Sequence, residues 1–248
     1  MIGIVIPAHN EADGIEATLN AAIVAGVHPG LQGEQVEVVL VLDSCTDATA
    51  KIASRYPVQV LSVNARNVGT ARALGADFAE SRGARWLAFT DADTLVASDW
   101  LVQQLALNAD VVCGSIGVDD WTVHGHHAPF LAAHFARTYK DREGHRHIHG
   151  ANLGVSTAAY RRAGGFEPLA CAEDVCLVKA LEQTGATVAW SAAPRVSTSA
   201  RPSARARGGF GDTLLAVIAA GGNPLPVHME QVARAFASPV DCNPDRHT

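Results

Sequence analysis

The chain has no apolar run long enough to span a membrane. It has no basic segment ahead of its first apolar run, and Pro7 interrupts that run, so nothing there reads as a secretory signal. A cytoplasmic protein is the expectation. No basic excess exists either: Lys+Arg 19 against Asp+Glu 25 leave a net charge of -6, which argues against nonspecific nucleic-acid binding. Cys45, Cys113, Cys171, Cys176 and Cys242 form no Cys-x-x-Cys pair. They read as reduced thiols, without a disulfide. There is no internal repeat. With 48% hydrophobic and only 18% charged residues among 248, the chain has ample material for a core and is not disordered. Its length suits one large domain or two small ones.

What is present is a regular alternation. Short apolar runs at 3–6, 36–42, 58–63 and 84–90 have the composition of strands buried on both faces. Between them, 12–25, 48–56 and 71–81 carry helical spacing. Strand-helix alternation predicts a parallel sheet covered by helices. Further on, the pattern predicts a helix to about 109, a strand within 110–118, and helices at 127–139, 157–163, 173–183 and 210–220. A strand is predicted at 187–190. Seven of the 11 histidines fall between His124 and His149. Residues 195–207 are basic.

Polar residues follow three of the early strands: Asn10 and Glu11, then Asp43, then Asp91 and Asp93. In a parallel sheet these ends lie along one edge, where open α/β sheets bind ligands. Asp91 and Asp93 are two positions apart after Trp86-Leu87-Ala88-Phe89-Thr90. On an extended strand both would face one point. Two hard oxygen donors there suit Mg²⁺ or Mn²⁺ carrying substrate phosphates, although aspartates also simply make turns. His145, His147 and His149 alternate and would share one face of a strand, either as a metal site or as a solvated, pH-sensitive loop.

With these residues in place, the chain resembles the family 2 glycosyltransferases, from residue 1 to about residue 190. Ile4-Val5-Ile6-Pro7-Ala8-His9-Asn10-Glu11 is similar to the family's opening strand and base-binding loop. Leu42-Asp43-Ser44-Cys45-Thr46-Asp47 is similar to its second-strand motif, with Leu42 where the family usually has an acid. Asn67-Val68-Gly69-Thr70-Ala71-Arg72 resembles the segment leading to the metal strand. Thr90-Asp91-Ala92-Asp93 resembles the metal-binding aspartates. Gly164-Gly165-Phe166, then Glu173-Asp174, resembles the acceptor-side segment and its acidic pair.

The resemblance implies a single-domain A-type glycosyltransferase fold, a mostly parallel Rossmann-like α/β sheet flanked by helices. Residues 1–235 would be the glycosyltransferase domain, about 1–110 binding the nucleotide sugar and 111–235 the acceptor, with 236–248 a tail. The implied activity is metal-dependent, inverting transfer from a nucleoside-diphosphate sugar, UDP-sugar by default, to an acceptor hydroxyl. The acceptor would be a small molecule or lipid-linked. Pro7, Ala8, Asn10, Glu11, Asp43, Asn67, Arg72 and Asp91 would bind the nucleotide sugar. Asp93 would be the direct metal ligand, with Asp91 at the ribose or in a water-mediated contact. His228 is a late candidate to close over the diphosphate. Arg66 and Arg72 can offset diphosphate charge or be plain surface arginines. Asp174, supported by Glu173, would take the acceptor's proton. Trp121, Trp190 and Tyr139 can stack on sugar or pack in the core. The alternatives are a nucleotidyltransferase, whose glycine-rich opening loop with arginine is absent from residues 7–14, and a noncatalytic nucleotide-sugar-binding protein.

Overall fold

The computed structural model describes residues 1–202 and 209–221. His228, Arg205, Arg207 and Cys242 therefore lie outside the described residues. The described chain divides into two compact units, 1–120 with 140–199, and 121–139 with the residues from 200 onward.

The first unit is built on a seven-stranded sheet. Its strands are β1 (Ile2–Ala8), β2 (Val36–Asp43), β3 (Gln59–Val63), β4 (Trp86–Phe89), β6 (Val111–Gly114), β7 (Leu153–Ser156) and β8 (Val188–Ser191). The order across the sheet is β3-β2-β1-β4-β7-β6-β8. Only β7 runs against its neighbours. Two short strands, β5 (Thr94–Val96) and β9 (Val196–Thr198), pair antiparallel as a separate ribbon. The parallel half is the expected one. β5, β7 and β9 were not expected as strands, being three or four residues long and too short for a period-two pattern to stand out.

Helices α1 (Ile15–Gly26), α2 (Thr49–Ala53), α3 (Val68–Ser81), α4 (Trp100–Ala106), α6 (Thr157–Arg162) and α7 (Glu173–Gln183) complete this unit. Because β1 to β4 are parallel, the loops after them lie at one sheet edge. α1 buries Ile15, Leu19 and Ala22, as helical spacing suggests, with Thr18 and Ala25 beside them; Ile23, which fits the same spacing, is only partly buried. α3 buries small residues instead: Gly69, Ala71, Gly75, Ala76 and Ala79. A Cβ on Gly75 would overlap Val5 Cγ1 and sit 3.0 Å from Val41 Cγ2. The absence of a side chain there lets α3 approach the sheet, which brings its first turns to the loop edge. Pro7 is tolerated in a central strand because β4 pairs with β1 only as far as Val5.

In the second unit, α5 (Ala128–Thr138) and α8 (Phe210–Ala219) are joined by aromatic contacts. Phe135 stacks on Tyr139 at 4.6 Å between centroids and meets Phe210 edge-on at 6.1 Å. Trp121 also packs against Phe135, so Trp121 and Tyr139 belong to an aromatic cluster.

Cys45, Cys113 and Cys171 are free thiols. Cys176 is disulfide-bonded, which corrects the expectation of five reduced thiols. Spacing along the chain does not report which cysteines a fold brings together.

Replacing Gly75 by alanine raises helix propensity by about 1 kcal/mol. It also forces a methyl onto a stiff β-branched neighbour, which costs about 1–3 kcal/mol. The expected result is a net loss of stability, read as a lower urea midpoint with an unchanged m-value.

Candidate active site

The loops after β1 and β2 are laced together by side-chain hydrogen bonds. Asn10 takes a left-handed conformation, φ 55°. Its Oδ1 accepts from the Thr46 N–H at 2.7 Å and the Asp47 N–H at 3.3 Å. Asp47 in turn accepts from the Ala12 N–H at 3.0 Å. The Glu11 N–H donates to the Thr49 hydroxyl at 2.8 Å. The Cys45 thiol donates to the Ala8 carbonyl at 3.3 Å. Glu11 itself is buried, 5% exposed. Ala8, Asn10 and Glu11 thus tie the two loops together, and Pro7 lies next to the end of the strand that delivers them.

Asp43 ends β2 and is almost fully used by the next loop. Its Oδ1 accepts from the Ala65 and Arg66 N–H groups at 2.9 and 2.8 Å, and its Oδ2 from the Asn67 N–H at 2.6 Å. The Ser44 hydroxyl adds a fourth bond at 2.9 Å. Burial alone would raise the carboxyl's pKa. The bonds from Asn67, Arg66, Ala65 and Ser44 outweigh it, and the group is held below the ordinary carboxylate range. Asn67 then caps α3: its Oδ1 accepts from the Thr70 N–H at 2.9 Å, while its Nδ2 donates to the Pro168 carbonyl at 2.8 Å. Asp43 therefore sets the start of α3, and α3 carries Arg72.

Arg72 is 3% exposed. One terminal nitrogen donates to Asp91 at 2.5 Å, and the other is bonded to Glu173. Glu173 is buried, while the Asp91 side chain is 38% exposed. The guanidinium also lies 5.8 Å from the Phe166 ring centroid. A Cβ on Gly150 would overlap it. The Gly150 N–H donates to Asp174 Oδ2 at 2.7 Å, and the Val175 N–H donates to Asp174 Oδ1 at 2.8 Å. Burial raises the Asp174 pKa, and the Asp91 charge adds to the rise. Arg72 and the two amides oppose it without cancelling it.

Asp91 and Asp93 do not lie on a strand. β4 ends at Phe89, and the Thr94 N–H closes a turn onto the Asp91 carbonyl at 3.2 Å. The alternation expected for the pair is replaced by a turn. That turn is pinned at its middle: Ala92 is buried, and its carbonyl accepts from the Thr18 hydroxyl at 2.9 Å. Asp91 and Asp93 flank this anchored residue, both partly exposed.

The structure thus brings together Arg72, Asp91, Glu173 and Asp174, and separately joins Asp43 to Asn67 and Asn10 to the β2 loop. Both terminal nitrogens of Arg72 bond protein carboxylates. His145, His147 and His149 lie on a loop, not on a strand. No group of three or more His, Cys, Asp or Glu suited to a metal ion occurs among the described residues. Trp190 packs edge-on to His145 and is covered by the Arg146 guanidinium at 4.9 Å. Gly150 escaped sequence reasoning. Its one local signal is the absence of a side chain between the histidines and the apolar 151–155 run.

Removing one partner from the Arg72 pair leaves a buried charge uncompensated. Arg72→Met is expected to lose about 3–5 kcal/mol of unfolding free energy, with Arg72→Met/Glu173→Gln recovering part of it. A double-mutant cycle by urea unfolding reads both.

The sequence profile described as Glycosyl transferase family 2 matches residues 3–164. No curated protein matches the chain. Among solved structures, TarS residues 1–349 of S. aureus, in complex with UDP, superimposes with a TM-score of 0.58 at 18% identity. That match covers 95% of this chain and 70% of that one. The same TarS fragment with UDP-GlcNAc gives 0.58 at 17% identity, covering 95% and 71%. Glucosyl-3-phosphoglycerate synthase from Mycobacterium tuberculosis, in complex with Mn²⁺, UDP and phosphoglyceric acid, gives 0.59 at 17% identity, covering 89% and 78%. The mixed sheet with its flanking helices is the GT-A fold of these neighbours. With the family profile spanning β1 to the end of α6, the chain belongs to glycosyl transferase family 2.

Proposed function

We propose that the protein is a metal-dependent inverting glycosyltransferase that moves a sugar from a nucleoside-diphosphate sugar, UDP-sugar by default, to an acceptor hydroxyl. The observation that carries this reading is the Arg72 bridge. It ties the turn bearing Asp91 to the start of α7, so that Asp174 stands beside the edge where the parallel strands end.

In this reading Asp174 is the general base. The acceptor O–H gives its proton to an Asp174 oxygen as the oxygen attacks the anomeric carbon. The bond from that carbon to the diphosphate oxygen breaks on the opposite face, and the nucleoside diphosphate leaves. Attack from the far side inverts the configuration. A carboxyl with a raised pKa suits this role, since a base matched to the working pH transfers protons best. Glu173 supports Asp174 from behind. It holds Arg72, and Arg72 holds Asp91.

The donor chemistry fits Mg²⁺ or Mn²⁺. Such ions are commonly bound by one or two carboxylates plus substrate phosphates rather than by a full protein cage. Asp93 would be the direct ligand, with Asp91 beside it and His228, outside the described residues, as a further candidate. When bound, the cation supplies charge to stabilise the departing diphosphate. The glucosyl-3-phosphoglycerate synthase holds Mn²⁺ together with UDP, which supports the same pairing here. The loops carrying Pro7, Ala8, Asn10 and Glu11, and Asp43 with Asn67, would form the nucleoside side of the cleft. We assign residues 1–110 to the donor and 111–235 to a small-molecule or lipid-linked acceptor. No helix among the described residues is long and apolar enough to cross a membrane.

Asp174→Asn is expected to lower kcat by about 10²–10⁴-fold while donor affinity holds. Asp93→Ala is expected to abolish the stabilisation that UDP with Mn²⁺ gives in thermal shift, a mass-action effect of binding to the native state. Full turnover by Asp174→Asn would refute the base assignment. An undiminished Mn²⁺-dependent shift in Asp93→Ala would refute the metal assignment.

A further inference from the structure

His145, His147 and His149 form a row of stacked imidazoles. Ring centroids are 5.3 Å apart between His145 and His147, inclined 20°, and 5.9 Å apart between His147 and His149, inclined 26°. The hydrogen bonds around the first two define how each ring carries its proton. His145 Nδ1 accepts from the His147 backbone N–H at 3.1 Å, and its Nε2 faces the Ser191 carbonyl at 3.2 Å. Only Nε2 can therefore bear the hydrogen. His147 Nε2 accepts from the Lys140 backbone N–H at 3.3 Å. A second proton on either ring would meet a backbone N–H and break the contact that shapes the segment. Two cations 5–6 Å apart would also repel.

The row leads to the site. His149 is 8% exposed, its carbonyl accepts from the Asn152 N–H at 3.0 Å, and the next residue is Gly150. Gly150 packs on Arg72 and donates its N–H to Asp174.

We propose that the neutral His145–His147–His149 row is a positioning device for the general base, keeping the Gly150 N–H on Asp174, and that protonation of the row releases that contact. The proposal rests on the reading of Asp174 as base. Charged groups surround the row. On its own segment, Asp141 bonds the Ser115 hydroxyl and pairs with Arg195, and Glu143 bonds the Ser191 hydroxyl and the Ala192 N–H. Arg146 lies over Trp190, and Lys140 and Arg142 flank the turn. From α7, Asp174 and Glu173 reach the Gly150 end, and from α3, Arg72 does.

Burial lowers the His145 pKa, with the Ser191 carbonyl, Glu143 and Asp141 pulling the other way. Burial, then His147 and His145, push His149 down from 6.5 to about 3. The unfolded chain thus binds more protons than the folded one between these values. Stability supplied by neutral His149 is complete above 6.5 and is lost as pH falls toward about 3.

The test is a pH series of kcat and donor KM for the unmutated protein, His145→Gln, His149→Gln and Asp174→Asn, with the Gly150 amide and the imidazole signals followed by NMR in the unmutated protein. Glutamine at 145 can donate to Ser191 and accept from His147 but cannot become a cation. The expected result is an acid limb of kcat displaced downward by about one pH unit in His145→Gln, with donor KM unchanged. The Gly150 amide signal should move in step with the imidazoles. An acid limb identical in both histidine variants, or a Gly150 amide that stays fixed while the rings titrate, overturns the proposal. If Asp174→Asn keeps its turnover, the base reading fails on its own. The Gly150 amide still decides the histidine row, even should the variants not fold.

Discussion

A single buried guanidinium joins the two sides of this site. Arg72 is held between Asp91, on the turn after β4, and Glu173, at the start of α7. Removing its charge from water is costly, and two carboxylates with fixed geometry compensate it. The bridge also explains the neighbouring sequence. Gly150 has no side chain because Arg72 fills that space, and Phe166 presents a ring face to the guanidinium. Arg72 thus joins the turn after β4, the start of α7, Gly150 and Phe166 at one point.

The position of Arg72 depends on the loop edge. Asp43 accepts three backbone N–H groups from residues 65–67, and Asn67 caps the helix on which Arg72 lies one turn further on. The small residues of α3 allow that helix to press against β1 and β2. Sheet packing, loop geometry and electrostatics are thus consecutive links. A side chain at Gly75 would shift α3 and with it the guanidinium.

The sheet was largely legible in the amino-acid sequence. Ile4-Val5-Ile6 and Val38-Val39-Leu40-Val41 are unbroken apolar runs, and buried parallel strands require such runs. The short strands were not legible, because Thr94–Val96 and Val196–Thr198 gain their identity from pairing with each other across the chain. The candidate residues were found by type and order, but their partners were hidden. Nothing local indicates that Arg72 meets Glu173, 101 positions away. Nor does Asp91-Ala92-Asp93 announce that Thr18 pins its centre and converts strand into turn. The histidines at 145, 147 and 149 were visible as an alternation. Their stacking comes from backbone N–H groups donating to ring nitrogens, which a period-two pattern does not encode.

Under the proposed function, the Arg72 bridge would hold an acid-bearing turn and a proton acceptor on opposite faces of one anomeric carbon. A crystal structure with Mn²⁺ and a non-transferable UDP-sugar analogue tests it most directly. The expected result is a cation joining Asp93 to the diphosphate, with the Asp174 carboxylate across the sugar from the leaving oxygen and Arg72 still between Asp91 and Glu173. A cation bound elsewhere, or Asp174 on the same face as the diphosphate, would contradict the account.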